Sequence, residues 1–401
     1  CGWKVGNDGN WIETANHKFN RRSWCGVPPG SDPWDGIHIT SSTRGSTSTV
    51  GGTKFARWRW NAPPGTGIVT VNGARWHVLG DNFQHRLGSA PVGASFVPFA
   101  EFSSTDRTRR GFNRAFSPPA AAFESRLLCA RPSNRSCSLT GTSLAGVRGM
   151  TLTLEDPVRP VASLSGTFRS GGWLRGAQSF HWSGTDVGSG LRYAETVIDG
   201  SVRASTEQAC EIERIAGQWR GRKMQPCRTA AAGSHSIDTA RLSDGAHLLT
   251  GCAIDFAGSR GCSAPAALRI DNNAPAAPRG LAVVGGGGWR NTNSFDLVWS
   301  NPDQGVAAPV TGVRYRITGP GSYDSGLLSA GGVEGLAGLK VPGPGSHRIS
   351  VWLVDAAGNG SPAGAADATL RLDDVDPVAF LLHPPEESPE LLRVTIDDTH
   401  S

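Results

Sequence analysis

Arg57, Arg59, Arg75 and His77 are the first side chains whose type and spacing suggest chemistry. They alternate with apolar residues in Phe55-Ala56-Arg57-Trp58-Arg59-Trp60 and in Ala74-Arg75-Trp76-His77-Val78. A period of two is that of a strand with one apolar face. Trp58, Trp60 and Trp76 are therefore expected in a core, where a sugar-stacking role is the rival reading, and the three Arg and His77 on the opposite face. Guanidinium groups pair well with carboxylate or sulfate, so that face is a candidate surface for acidic carbohydrate. Trp34, in the turn Asp32-Pro33-Trp34-Asp35, could stack on a sugar ring. A merely solvated face and a Trp that anchors a loop are the structural alternatives.

Oxygen ligands gather at two later points, Asp271-Asn272-Asn273-Ala274-Pro275 and Asp373-Asp374-Val375-Asp376-Pro377. Calcium takes six to eight oxygens, so Asp271, Asn273, Asp373, Asp374 and Asp376 are candidate ligands. Asp186, Asp255 or Asp355 could help from nearby loops. The first of these segments resembles the cadherin linker, which ends Asp-Asn-Ala-Pro, although the other cadherin motifs are absent. Asp and Asn also cap turns without any ion, and that reading competes. Calcium is the one cofactor entertained.

Catalytic patterns are missing. Gly233-Ser234-His235-Ser236 is not a nucleophile elbow. Glu101 and Asp106 are the nearest carboxylate pair in the first part of the chain and read as solvated. His77, Asp81 and His85 lie four residues apart, a helical spacing, but Gly80 and the strand pattern argue against a helix. Gly285 to Gly288 reads as a turn rather than a phosphate loop. The expectation is a protein that is not an enzyme.

Eight Cys fall as local pairs: Cys1 and Cys25, Cys129 and Cys137, Cys210 and Cys227, Cys252 and Cys262. Pairing within each half of the chain would still leave three connectivities per half. Without a C-x-x-C pair zinc has little case, and disulfides formed in an oxidising compartment are expected. Cys1 could instead be the lipid-bearing first residue of a lipoprotein. The 401 residues hold no apolar run long enough to span a membrane. Both ends read as cut from a longer chain. Net charge is +5, but the cations are spread out and no unbroken Lys/Arg run exceeds two residues, which argues against nucleic acid.

Gly at 53 and Pro at 26, with short apolar runs between polar turns, indicate many short strands and an all-β chain. Thirteen Trp and 14 Phe supply the buried area that disorder lacks. A repeat governs the second half. Phe180-His181-Trp182-Ser183 is echoed by Leu297-Val298-Trp299-Ser300, and Gly190-Leu191-Arg192-Tyr193 by Gly312-Val313-Arg314-Tyr315. Asp255-Phe256-Ala257-Gly258 is echoed by Asp355-Ala356-Ala357-Gly358, and a Pro-bearing joint closes each unit. Leu154-Glu155-Asp156-Pro157 is a joint of the same kind.

These motifs resemble bacterial fibronectin-III/Ig-like modules over residues 158–376. The segment Ala-Arg-Trp-Arg-Trp-Asn-Ala-Pro-Pro-Gly-Thr, with the Cys-x7-Cys loop of Cys129 and Cys137, is similar to the jelly-roll-like, lectin-like region that precedes such modules in actinobacterial surface proteins. The resemblance implies an all-β chain, a jelly-roll-like sandwich followed by tandem Ig/fibronectin-III-like β-sandwiches. The expected divisions are 1–157 for the lectin-like domain, 158–275 for an Ig-like domain with a disulfide-bearing insertion, 276–376 for a second module, and 377–401 for the start of another. It further implies an extracellular or cell-surface protein that binds carbohydrate or a cell-envelope polymer and adheres through its first domain. The alternatives are the accessory region of an extracellular hydrolase and a purely structural stalk.

Overall fold

The computed structural model describes residues 11–14, 19–24, 36–41, 49–90, 95–138, 143–329, 332–382 and 393–398, with backbone alone up to residue 41. Trp34, Cys1 and Cys25 lie outside the described residues. The described chain is all-β, with three short 3-10 turns among its strands.

The first domain contains β1 (Trp11–Thr14), β2 (Phe19–Trp24), β3 (Gly36–Ser41), β4 (Thr49–Gly51), β5 (Phe55–Asn61), β6 (Gly67–Val78), β7 (Phe83–Ala90), β8 (Val97–Phe102), β9 (Asp106–Ala120), β10 (Ala122–Cys129), β11 (Ser136–Ser138) and β12 (Leu144–Glu155). Two five-stranded antiparallel sheets run β1-β5-β10-β7-β8 and β2-β3-β12-β6-β9. Without β1, β2 and the small β4–β11 pair, eight strands remain. Numbered in chain order, their sheets read 1-8-3-6 and 2-7-4-5. That order is the double Greek key of a jelly roll. The Cys129–Cys137 disulfide ties the end of β10 to β11.

Strand β5 is where the alternation reads through to structure. Ala56, Trp58 and Trp60 point into the core, with Trp60 lying 5.4 Å from Phe123 of β10 between ring centroids. Strand β6 reverses the expected sides. Arg75 and His77 lie opposite Val147 and Ala145 of β12, both core residues, and His77 meets His85 of the other sheet. Trp76 lies opposite Gly146 and is covered on the other side, 1% exposed. A Cβ on Gly146 would come within 2.6 Å of the indole. Irregular pairing along β6 and β12 shifts which residues face inward.

The two following modules share eight strands in the same order, while Arg260–Cys262 adds to Gly245–Asp255 in the first and Leu328–Ser329 to Val310–Thr318 in the second. In the first, Val161–Ser165, Ala177–Thr185 and Ala230–Asp238 form one sheet, and Trp173–Leu174, Ala266–Ile270, Gly245–Asp255, Leu191–Ile198 and Ser201–Glu207 follow in order in the other. In the second the corresponding sheets are Arg279–Val283, Phe295–Ser300 and Gly335–Leu339, and Trp289–Arg290, Ala366–Leu372, Gly345–Asp355, Val310–Thr318 and Tyr323–Asp324. In each module a two-residue strand pairs parallel with the last strand, and the whole is an Ig-like sandwich. The cores correspond: Phe180, Trp182, Leu268 and Ile270 in one, Leu297, Trp299, Leu370 and Leu372 in the other. His247 and His347 each place Nε2 on the backbone carbonyl four residues upstream, at 2.8 and 2.7 Å.

The first module alone carries an insertion, the hairpin Ile212–Ile215 with Gln218–Gly221, bounded by the Cys210–Cys227 disulfide. Met224 in this insertion packs into the core cluster of the first domain. A third disulfide, Cys252–Cys262, closes the last hairpin of that module. Beyond the second module Val378–Leu382 pairs with Arg393–Asp397.

Phe180 and Phe295 are each 1% exposed, whereas Val298 is 47% exposed. Phe180→Ala and Phe295→Ala are each expected to destabilise their own module by about 3–5 kcal/mol. Val298→Ala should change stability by less than about 0.5 kcal/mol. Chemical denaturation of the three variants checks this.

Candidate functional site

The outer face of the β1-β5-β10-β7-β8 sheet gathers arginines about one carboxylate. Because Trp58, Trp60 and Phe123 face the core, their neighbours Arg57, Arg59 and Glu124 face outward. Glu124 has no exposed side-chain surface, and its Oε1 accepts from Arg57 at 3.0 Å and Arg59 at 2.6 Å. Its Oε2 accepts from Arg126 at 2.6 Å. Arg126 also lies over Phe96, 3.6 Å from the ring centroid, and burial holds its pKa below the ordinary value. Arg86, opposite Arg126, reaches Glu101 at 3.3 Å. Four guanidiniums thus share one face with one sealed carboxylate and one rim carboxylate, a surplus of two positive charges among these six groups. The arginine side chains keep 16–29% of their surface exposed. Nε of Arg57 is buried without a hydrogen-bond partner.

Arg75 and His77 are not part of this face. His77 lies in the sandwich interior at 1% exposure, its Nδ1 3.3 Å from Nδ1 of His85, and His85 Nε2 is 3.0 Å from Ser125 Oγ. Phe102 stacks on His77 at 4.9 Å, and Arg75 covers the same ring at 3.6 Å. Burial, then the charge of Arg75, pushes His77 down to about 4. His85, fully buried beside His77 and Arg75, is pushed well below the usual imidazole range. Asp106 is held at about 2, chiefly by the Thr108 hydroxyl and also by Arg110. Asp81 is exposed and takes no part in this cluster. Glu101 and Asp106 each hold an arginine, as carboxylates in ion pairs do.

The joint residues are placed as follows. Asp271 is fully buried, and its oxygens accept from Asn273 N at 3.0 Å and from Ala308 N at 2.7 Å. Asn273 donates through Nδ2 to Asp244 at 2.5 Å. Asp373 has one buried oxygen without a partner, and Asp374 and Asp376 are exposed. These five do not converge on one another. Among the described residues one group of three carboxylates does converge, Asp156, Asp186 and Asp255.

Sequence reading missed Arg86, Glu124 and Arg126. Alternation within Phe123-Glu124-Ser125-Arg126 could have put Glu124 and Arg126 outward, but their pairing with β5 lies 65 and more residues away.

No protein-family model and no curated protein matches the chain. Among solved structures, fibronectin(III)-like modules of Clostridium thermocellum CbhA align at 13% identity and TM-score 0.27, over 53% of this chain and 93% of theirs. Domains A168–A170 of titin align at 10% identity and TM-score 0.32, over 81% and 95%. The FN1–FN3 domains of chicken CNTN1 align at 11% identity and TM-score 0.27, over 78% and 99%.

Glu124→Gln removes the charge that three arginines share. It should cost about 2–3 kcal/mol, less than breaking a fully buried pair because the arginines are partly solvated; urea unfolding of the variant measures it. The two depressed imidazoles make a pH prediction. The unfolded chain, with ordinary His near 6.5, takes up protons before the folded one does. The stability held by the neutral pair is complete above about pH 6.5 and is lost as pH falls toward about 4. Thermal scans between pH 7 and 4 should show that loss in the wild type and a smaller one in the double variant His77→Gln, His85→Gln.

Proposed function

We propose that this is a non-catalytic extracellular protein whose jelly-roll domain binds an anionic polymer, an acidic glycan of a cell envelope or matrix, and whose Ig-like modules hold that domain outward. The observation that carries this reading is the outer sheet face with Arg57, Arg59, Arg86 and Arg126 around Glu124. The stacking of Arg126 on Phe96 and the anchoring by Glu124 hold the guanidiniums in place before any ligand arrives. Preorganisation of that kind lowers the cost of binding. Arg57 Nε is a donor still to be satisfied, and carboxylate or sulfate oxygens suit a guanidinium fork.

Three disulfides support an oxidising compartment. The non-catalytic reading is supported by the placement of His77 and His85, the depressed imidazoles, inside the sandwich rather than at a cleft. The stalk reading draws on Glu124 itself, whose charge cancels part of the arginine cluster.

Binding of the chain to immobilised heparin and polygalacturonate, with neutral dextran as control, tests the proposal. Saturable binding to at least one polyanion is expected, weakening as salt rises. The double variant Arg57→Ala, Arg86→Ala should bind at least tenfold more weakly, while Trp219→Ala in the module insertion should bind as the wild type does. Absence of polyanion binding at low salt would leave the stalk.

A further inference from the structure

Asp156 follows the last strand of the jelly roll, Asp186 follows Ala177–Thr185, and Asp255 ends Gly245–Asp255. One carboxylate oxygen of each lies within 4.8 Å of the other two. Asp186 and Asp255 are 3% and 0% exposed. Most of the oxygens have donors. Asp186 Oδ2 accepts from Gly188 N and Gly190 N at 3.1 and 2.7 Å, and Asp255 Oδ1 from Ser259 N at 2.8 Å. Asp156 accepts from Val158 N at 3.2 Å and Ser189 N at 2.6 Å. Asp186 Oδ1 and Asp255 Oδ2 are buried and have no partner at all.

Three carboxylates at such spacing repel one another by several kcal/mol even with generous screening, and an unpaired buried oxygen adds its own desolvation cost. Burial first, and the neighbouring carboxylates after it, push both Asp186 and Asp255 above the usual carboxylate range. A proton, a bound water or a cation would relieve such a cluster, and only a cation offsets the charge of all three carboxylates at once.

The second module shows how the same fold meets the same demand without an ion. Asp271 Oδ2 accepts from Ala308 N at 2.7 Å, as Asp156 Oδ2 does from Ser189 N. Asp355 Oδ1 accepts from Asn359 N at 2.9 Å, as Asp255 Oδ1 does from Ser259 N. There the Asn359 amide fills the gap: Nδ2 donates to Asp355 Oδ2 at 3.0 Å and to the Asp271 carbonyl at 2.9 Å. In the first module Ser259 stands at the position of Asn359 and has no amide to offer. Asp303, four residues after Trp299 as Asp186 is four after Trp182, is exposed and caps its own turn. The first joint therefore holds one more converging carboxylate and lacks the amide whose hydrogen bonds satisfy the second.

We propose that Asp156, Asp186 and Asp255 bind one Ca²⁺ ion at the joint between the jelly roll and the first Ig-like module. The donor set is oxygen only, with no nitrogen or sulfur, which suits a hard cation. Asp156 lies next to Pro157 and Val158, and Val158 and Val187 line the space above Gly65 of the jelly roll. An ion on Asp156 and Asp186 would thus fasten the chain at the point where the two domains touch. This site is independent of the arginine face and of any glycan.

The test is calorimetric titration of the chelator-stripped chain with Ca²⁺, together with thermal scans in Ca²⁺ and in chelator. One binding site and a Tm that rises with calcium concentration are expected. Asp186→Asn with Asp255→Asn should abolish both, and Asp355→Asn should leave both intact. Ser259→Asn, which installs the amide found in the second module, should fold, weaken Ca²⁺ binding at least tenfold and melt in chelator no lower than the wild type. Absence of binding up to about 10 mM Ca²⁺, above the range of weak extracellular sites, would overturn the proposal. So would binding unchanged by Asp186→Asn with Asp255→Asn.

Discussion

A carboxylate at each joint, half-buried in Asp156 and fully buried in Asp271, reaches across to a backbone N–H of the module that follows. Asp271 has no exposed surface, and its Oδ2 is satisfied by Ala308 N, 37 residues further along. A carboxylate so buried needs donors, and swinging the second module away would strip one from it. The same joint is crossed by Arg175, which donates to Asn359 Oδ1 at 3.2 Å, and by Val306 lying against Gly245. Relative motion of the modules is therefore tied to the loss of buried hydrogen bonds. The first joint repeats the device through Asp156 and Ser189 N and adds the apolar contact of Met224 with the jelly-roll core.

That constraint explains the differences between the two modules. Eight of their strands and their cores correspond, yet among the described residues only the module next to the jelly roll carries the insertion bounded by Cys210 and Cys227. The insertion reaches the neighbouring domain through Met224, which joins that domain's core, while Gln225 donates to the Gly188 carbonyl of its own module at 2.8 Å. A disulfide at its base limits the freedom of this segment in the unfolded chain. The outcome is a jelly roll docked on the first Ig-like module, with the arginine face on the outer side of a jelly-roll sheet.

The sequence was most legible where a strand is regular. Trp58 and Trp60 lie inward and Arg57 and Arg59 outward, as the alternation requires, and the repeat around Trp182 and Trp299 corresponds to matching strands. Three of the four local cysteine pairs are disulfides, and the fourth lies outside the described residues. In strand β6 Trp76 is buried as its hydrophobicity suggests, but Arg75 and His77 do not face solvent, because register sets them opposite the core residues Val147 and Ala145. That register is set some 70 residues away and by irregular pairing that no local pattern announces. The same nonlocality hid Glu124 among its arginines. At the joints, Asp271 and Asn273 stood out by clustering in sequence, yet both find partners within the protein. The three carboxylates that converge, Asp156, Asp186 and Asp255, come from distant segments of the sequence, and only folding brings them together.

Fixed joints are tested most directly by the distance between two spin labels on either side of Asp271. Val202 in the first module and Tyr323 in the second are about half exposed and suit labelling through unnatural amino acids. Pulsed electron-resonance measurement should give one narrow distribution in the otherwise native chain, broadened by Asp271→Ala. A broad distribution with Asp271 in place would contradict a carboxylate-held joint.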